Sequence, residues 1–289
     1  MLITILAVIF YLNSGKKEQK ISSSVVSALS ETNNTDNFDK ADKVRQFKFP
    51  EDSGAHTKFQ TEWWYYTGNL EDQNKNHYGF QLTFFRRSLN AKLIQGQSKW
   101  RTNQLYFAHF TVSDIKNDKF YFNERFSRGD SNLSGVKTKP FEVWLEDWSV
   151  KEENGYIRIK ANNSPVFIDL KTQPLKPLVL EGDKGLSHKS AENASYYYSQ
   201  TRLKTDGIIS ISDQKFNVTG ISWLDREWST SALSKNQTGW DWFSLQSKDG
   251  REIMIYQLRL KNGQIDPFSS GTLIEKNGQS IHLKKEDFL

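Results

Sequence analysis

Residues able to do acid–base chemistry concentrate in one stretch. Gly220-Ile221-Ser222-Trp223-Leu224-Asp225-Arg226-Glu227-Trp228-Ser229 is soon followed by Gly239-Trp240-Asp241-Trp242-Phe243, which places four of the nine tryptophans beside four charges. Side chains alternate on an extended strand, so Trp223, Asp225 and Glu227 share one face while Leu224, Arg226 and Trp228 share the other. An aromatic wall raises a carboxyl pKa by desolvation and a second carboxyl raises it further, as a general acid working near neutrality requires. The same residues also suit a structural Asp225-Arg226-Glu227 ion-pair network between two sheets.

Three other segments extend the candidate set. Thr61-Glu62-Trp63-Trp64-Tyr65-Tyr66 puts Trp63 and Trp64 on opposite faces, one lining an interior and one packing outside. Glu62 is either a carboxyl desolvated by that bulk or the partner of Arg86 or Arg87 on the next strand. His109 lies in line with Phe107 and Thr111, where a histidine is either a satisfied core residue or a ligand contact. Ser195-Tyr196-Tyr197-Tyr198-Ser199 stacks three phenols that close a pocket or fill a core. Together these segments describe an aromatic interior with few polar groups, suited to a long apolar ligand and to cation stabilisation over ring faces.

The elements that must position these residues read as strands. Short apolar or aromatic runs are separated by Asn154-Gly155, Asp206-Gly207, Asp249-Gly250, Asn262-Gly263 and Asn277-Gly278, dipeptides that tolerate the positive φ of tight hairpins. Strands are predicted over 61–70, 77–87, 104–114, 118–126, 141–150, 155–161, 165–171, 195–203, 207–212, 215–223, 239–248, 251–261, 271–276 and 279–284. The fold class is all-β, a barrel or sandwich with no propeller or solenoid period. In 141–150, Phe141, Val143 and Leu145 fall on one face and Trp144 and Trp148 on the other.

Composition removes several function classes. The 289 residues include no cysteine, which excludes disulfides, thiolate metal sites and a cysteine nucleophile. A net charge of +5 without a basic run gives no nucleic-acid stripe. No phosphate loop, dinucleotide fingerprint, zincin motif or nucleophile elbow occurs, and the five histidines show no metal-ligand spacing. Asp72 to His77 imitates the start of a calcium loop, but His77 stands where glycine is needed, so a hairpin loop is expected. No cofactor or metal is implied. Met1 to Leu12 is almost wholly apolar, so 1–15 reads as an export signal or a membrane anchor, and polar 16–45 reads as a disordered linker.

The ordered motifs Glu62 to Leu70, Ala108-His109-Phe110, Ala194 to Ser199, Trp223 to Trp228 and Gly239 to Phe243 with Met254-Ile255-Tyr256 resemble the AttH-like, carotenoid 1,2-hydratase-related family, from about residue 46 to the end. The resemblance implies tandem lipocalin-like β-barrels, the first over 46–230 and the second starting at 231 and incomplete at the C-terminus. It also implies a secreted or periplasmic protein, with membrane or transporter proximity. Hydratases of the family protonate an isolated double bond of an acyclic carotenoid and let water capture the tertiary cation. Asp225 aligns with their proton donor, Trp223 stands where they carry tyrosine, and Tyr196 and Tyr198 stand where they carry histidine and tryptophan. Other relatives are described as predicted secreted hydrolases or as exported partners of transport systems. The expected catalytic set is therefore Asp225, Trp223, Tyr196 and Tyr198. Glu62, Trp63, Trp64, His109, Arg226, Glu227, Trp228, Trp240, Asp241 and Trp242 are expected around an isoprenoid or lipid ligand. A non-catalytic carrier of lipophilic cargo and an ester hydrolase remain as alternative functions.

Overall fold

A computed structural model describes residues 35, 37–92, 102–129, 132–231 and 233–288. The segment expected as a signal or anchor, 1–15, lies outside them, as does most of the linker expected over 16–45. The last part of that linker is packed rather than disordered. Phe38 and Ala41 are buried, and the Thr230 hydroxyl donates to the Asp39 carbonyl. Two apolar side chains found a place against the barrel, which the polar average of the segment concealed.

Thirteen strands form the larger sheet: β1 (Thr61–Asp72), β2 (His77–Ser88), β3 (Gln104–Asp114), β4 (Lys119–Arg128), β5 (Ser134–Thr138), β6 (Phe141–Leu145), β7 (Trp148–Glu153), β8 (Tyr156–Asn163), β9 (Val166–Pro174), β10 (Val179–Leu180), β11 (Leu186–His188), β12 (Ala194–Ile211) and β13 (Gln214–Ser229). The smaller sheet holds β14 (Gln237–Gln246), β15 (Glu252–Leu260), β16 (Ser270–Ile274) and β17 (Ser280–Lys284). The chain is all-β and lipocalin-like. The large sheet runs β4-β3-β2-β1-β13-β12-β9-β8-β7-β6-β5, with β10 and β11 added beside β12. It curls into a nearly closed barrel, bridged where its ends approach by Arg125 of β4, which donates to the Asn162 carbonyl at 2.9 Å and pairs with Asp147. The four-stranded sheet is open.

Alternation decides what fills the barrel. Trp64 and Tyr66 on β1, Phe80, Leu82 and Phe84 on β2, Ala108, Phe110 and Val112 on β3, and Val143, Leu145, Trp148, Ile159 and Ile168 from the far wall make one buried core. The barrel interior is therefore a packed core rather than a ligand chamber. Trp148 joins Val143 and Leu145 in that core, contrary to the single strand expected over 141–150. A turn at Glu146, whose φ is 56°, starts a new strand and resets the alternation.

The hairpin expected at Asp206-Gly207 is likewise absent, and β12 runs straight through it for 18 residues. Gly207 serves close approach instead, since a Cβ there would sit 2.2 Å from the Asp169 carbonyl oxygen across the β12–β9 ladder. Strands β12 and β13 are thus long enough to serve two structures. The paired segments 203–211 of β12 and 214–222 of β13 lie on the side of β9, while Tyr197 of β12 and Trp223 of β13 both meet Trp242 of the small sheet. Glu252 of β15 fastens the two together, pairing with Lys176 at 2.7 Å and with Arg202.

Candidate functional site

Between the outer face of the barrel and the small sheet lies a cavity of about 300 Å³ lined by Trp63, Tyr65, Phe85, Lys189, Tyr197, Asp225, Glu227, Trp240, Trp242, Tyr256 and Leu258. Most of its wall consists of residues two apart on a strand: Trp63 and Tyr65, Asp225 and Glu227, Trp240 and Trp242, Tyr256 and Leu258. Period-two alternation sends each pair to one face. Register then sets them side by side. Phe85, Trp63, Glu227 and Tyr197 form one row across β2, β1, β13 and β12, and Tyr65, Asp225 and Ser199 form the next. On the facing sheet, Trp240 pairs with Leu258 and Trp242 with Tyr256.

Asp225 is the chemical centre of this wall. Its Oδ1 accepts the Tyr197 hydroxyl at 2.8 Å and the Ser199 hydroxyl at 2.6 Å. Its Oδ2 is buried with no hydrogen-bond partner. Burial pushes the carboxyl up to about 7, against the Ser199, Trp223 and Tyr197 donors that favour its charged form, and nearby Glu227 adds to the rise. The Trp223 indole N–H stands close enough to help hold the carboxyl down without reaching ordinary hydrogen-bond geometry. Trp242 of the small sheet donates its indole N–H to the Tyr197 hydroxyl at 3.3 Å, so the second sheet supports the acid through Tyr197. Burial, then Asp225, raises the Tyr197 phenol well above its ordinary value, which keeps it a neutral donor.

At another part of the cavity, Lys189 Nζ stands 3.3 Å from Glu227 Oε1, 3.0 Å from Ser187 Oγ and 3.9 Å from the centre of the Tyr256 ring. Burial would lower its pKa, but Glu227 and Tyr256 outweigh this and raise it. Lys189 therefore stays charged and is paired with Glu227. Sequence reading missed Lys189, Tyr65, Phe85, Tyr197, Tyr256 and Leu258 as lining residues. Tyr197 lies in the three-tyrosine run, and Tyr65 and Tyr256 lie in the Glu62 to Leu70 and Met254-Ile255-Tyr256 motifs, so these three carried a usable signal.

The remaining candidates are placed elsewhere. Tyr196 and Tyr198 point to the face opposite Tyr197, where they pack with Trp228 and Phe47. Adjacent residues cannot share a strand face, so the structure puts Tyr197, and neither neighbour, against Asp225. Trp64 fills the barrel and donates its indole N–H to the Ser53 carbonyl at 3.0 Å. Trp228 stacks on His56 at 3.8 Å. Glu62 and Arg226 form a fully buried group with Arg86 on that same inner side. Burial would raise the Glu62 carboxyl, but Arg86, Arg226 and His56 together hold it well below the usual range. Arg226 thus pairs with Glu62, and the Asp225-Arg226-Glu227 network does not form. His109 pairs with Glu124 at 2.8 Å and packs behind the lining residue Phe85, and Asp241 pairs with Arg259 at a half-exposed position, so neither lines the cavity. Trp63, Glu227, Trp240 and Trp242 do line it, with Trp63 and Trp240 near-parallel across the two sheets at 6.5 Å.

A family model for AttH-like proteins matches residues 40–289. The chain belongs to the AttH-like family. This AttH-like protein is similar to a crystal structure described as a candidate AttH from Nitrosomonas europaea, at 32% identity over 86% of this chain and 76% of that one, with a TM-score of 0.77. It is also similar to kievitone hydratase from Nectria haematococca, at 13% identity over 86% of this chain and 72% of that one, with a TM-score of 0.62. At that identity the likeness is one of fold. Among curated proteins the sequence has no significant match.

Proposed function

We propose that this AttH-like protein binds an apolar, alkene-bearing molecule, isoprenoid or acyl, in the cavity between its sheets and adds water across a C=C bond with Asp225 as proton donor. The observation that carries the reading is the state of Asp225. It is buried, its carboxyl is pushed up to about 7 by that burial, and its Oδ2 makes no hydrogen bond of ordinary geometry in a wall of indoles and phenols. A cavity of about 300 Å³ is at the small end of ligand sites, so it holds the reacting end of a long molecule while the remainder extends outside. The hydratase among its fold neighbours supports the reaction class. The apolar stretch Met1 to Leu12 supports export.

In the proposed step the alkene π pair takes the Asp225 proton, forming a C–H bond and leaving a cation on the more substituted carbon. The faces of Trp63, Trp240 and Trp242 offer that cation the negative side of their quadrupoles. Water then donates a lone pair to the cation, and the oxonium so formed hands its extra proton to the Asp225 carboxylate, giving an alcohol and restoring the acid. The test is incubation of the full chain with farnesol in oxygen-18 water, read by mass spectrometry. A product heavier by one labelled water, lost in Asp225→Asn, supports the reaction. Farnesol bound but unchanged by the wild-type chain overturns it in favour of a carrier of lipophilic cargo.

A further inference from the structure

The row of rings that starts in the cavity runs on past its rim. Phe85 lines the cavity, and strand register continues from it through Phe107 of β3 to Phe126 of β4. The three rings are stacked, Phe85 on Phe107 at 4.5 Å and Phe107 on Phe126 at 5.7 Å. A second line leaves the same ring. His109 meets Phe85 at 5.4 Å and Phe122 of β4 at 5.5 Å, edge to face in both contacts. The small sheet roofs the start of this face, where Trp240 lies over Trp63 at 6.5 Å.

The far end is open. Phe122 and Phe126 are 54% and 45% exposed, whereas Phe107 is buried between its two stacking partners. Alternation puts Phe120, Phe122, Glu124 and Phe126 on one face of β4, and Phe120 is exposed as well. Apolar side chains exposed singly are ordinary on a protein surface, but aligned ones mark a place where something apolar is bound. Glu124, the charged member of the set, is held by His109 at 2.8 Å, so the face carries no unpaired carboxylate. Its occupant follows from where the row begins. A cavity of about 300 Å³ takes the reacting end of a long molecule, and the rest needs apolar surface that adjoins the rim. Phe85 belongs to both.

We propose that the tail of the cavity ligand lies along this face, from Phe85 across His109 and Phe107 to Phe122 and Phe126, so that the site prefers a chain of farnesyl length to a shorter one. The proposal rests on the reading of the cavity as the seat of an apolar ligand. The tail is hydrocarbon, because rings line its path, and the alkene that reacts is the one at the end held beside Asp225.

The test is binding of geraniol and of farnesol, which is longer by one isoprene unit, to the ligand-free full chain, followed by quenching of tryptophan fluorescence. Wild type is expected to hold farnesol about tenfold or more tightly than geraniol, because the added unit buries apolar area. The double variant Phe122→Ser, Phe126→Ser is expected to lose most of that gain and to keep the affinity for geraniol. Both positions are about half exposed, so the fold tolerates the change. Phe243→Ser is the control. Phe243 is 54% exposed on the side of β14 opposite Trp242, and its replacement should alter neither affinity. A farnesol preference that survives the double variant, or falls as far in Phe243→Ser, overturns the path, as does equal affinity of wild type for the two alcohols. A wild-type dimer that the double variant dissolves, seen by sedimentation velocity, also overturns it and assigns the face to a second copy of the chain. Failure of the hydration reading shows separately, as farnesol bound with the expected preference but never gaining labelled water. Failure to bind either alcohol overturns both.

Discussion

Ser199 and Asp225 stand directly opposite each other on β12 and β13, and the serine hydroxyl donates to Asp225 Oδ1 at 2.6 Å. Tyr197 donates to the same oxygen, so both bonds fall on Oδ1 and Oδ2 is left bare. An acid held in this way is oriented through one oxygen.

Replacing Asp225 by Asn keeps the shape and removes the transferable proton. Loss of a positioned general acid costs about 10²- to 10⁴-fold in rate. The expected outcome is hydration of farnesol reduced by that factor with binding retained, checked by product analysis alongside quenching of tryptophan fluorescence.

The raised carboxyl also makes stability depend on pH. Asp225 has an ordinary value of 3.8 and a folded value of about 7, so between these the folded chain holds a proton that the unfolded chain has released. Its contribution is complete below the lower value and is lost as pH rises to about 7. Glu62, held well below its ordinary 4.5, has the opposite sign and loses its contribution only as pH falls below that value. His109, lowered by burial, opposes the Asp225 trend but is common to both proteins compared. Thermal melts at about pH 5 and about pH 8 should show Asp225→Asn gaining stability relative to wild type at the higher pH. An unchanged difference would refute the assignment.

Glu62 should prove structural. Glu62→Gln leaves Arg86 and Arg226 buried without their counter-charge, which costs about 3 to 5 kcal/mol. A fall in Tm on the order of 10 °C is expected, measured by calorimetry.

Tyr197 and Tyr196 should separate cleanly in their effect on the acid. Tyr197→Phe removes a donor to the charged form of Asp225 and should raise its midpoint in an NMR titration. Tyr196 donates instead to the Lys43 carbonyl, so Tyr196→Phe should leave that midpoint where it was.

Ligand affinity should depend on both sheets. Trp63 and Trp240 approach from the barrel and from the small sheet, and removing either ring takes away apolar contact worth about 1.5 to 3 kcal/mol. Trp63→Ala and Trp240→Ala should each weaken farnesol binding by about tenfold or more, measured by calorimetric titration.

By itself the sequence determined the all-β class and the facing of residues within an unbroken strand. Trp223, Asp225 and Glu227 share a face because side chains alternate, a local property that needs no partner. The same local rule separates Arg226 from its acidic neighbours. Only the tertiary structure decided which faces meet. That Glu62 belongs with Arg86 and Arg226 and that Tyr197 rather than Tyr196 or Tyr198 stands against Asp225 depend on register between strands far apart in sequence, and Lys189 joins the site through its pairing with Glu227. The cavity also lies outside the barrel, because aromatic side chains fill the interior and the small sheet roofs the outer face. The Asp225 pKa belongs to this second class, since desolvation is set by what packs over a carboxyl and not by its neighbours in the chain.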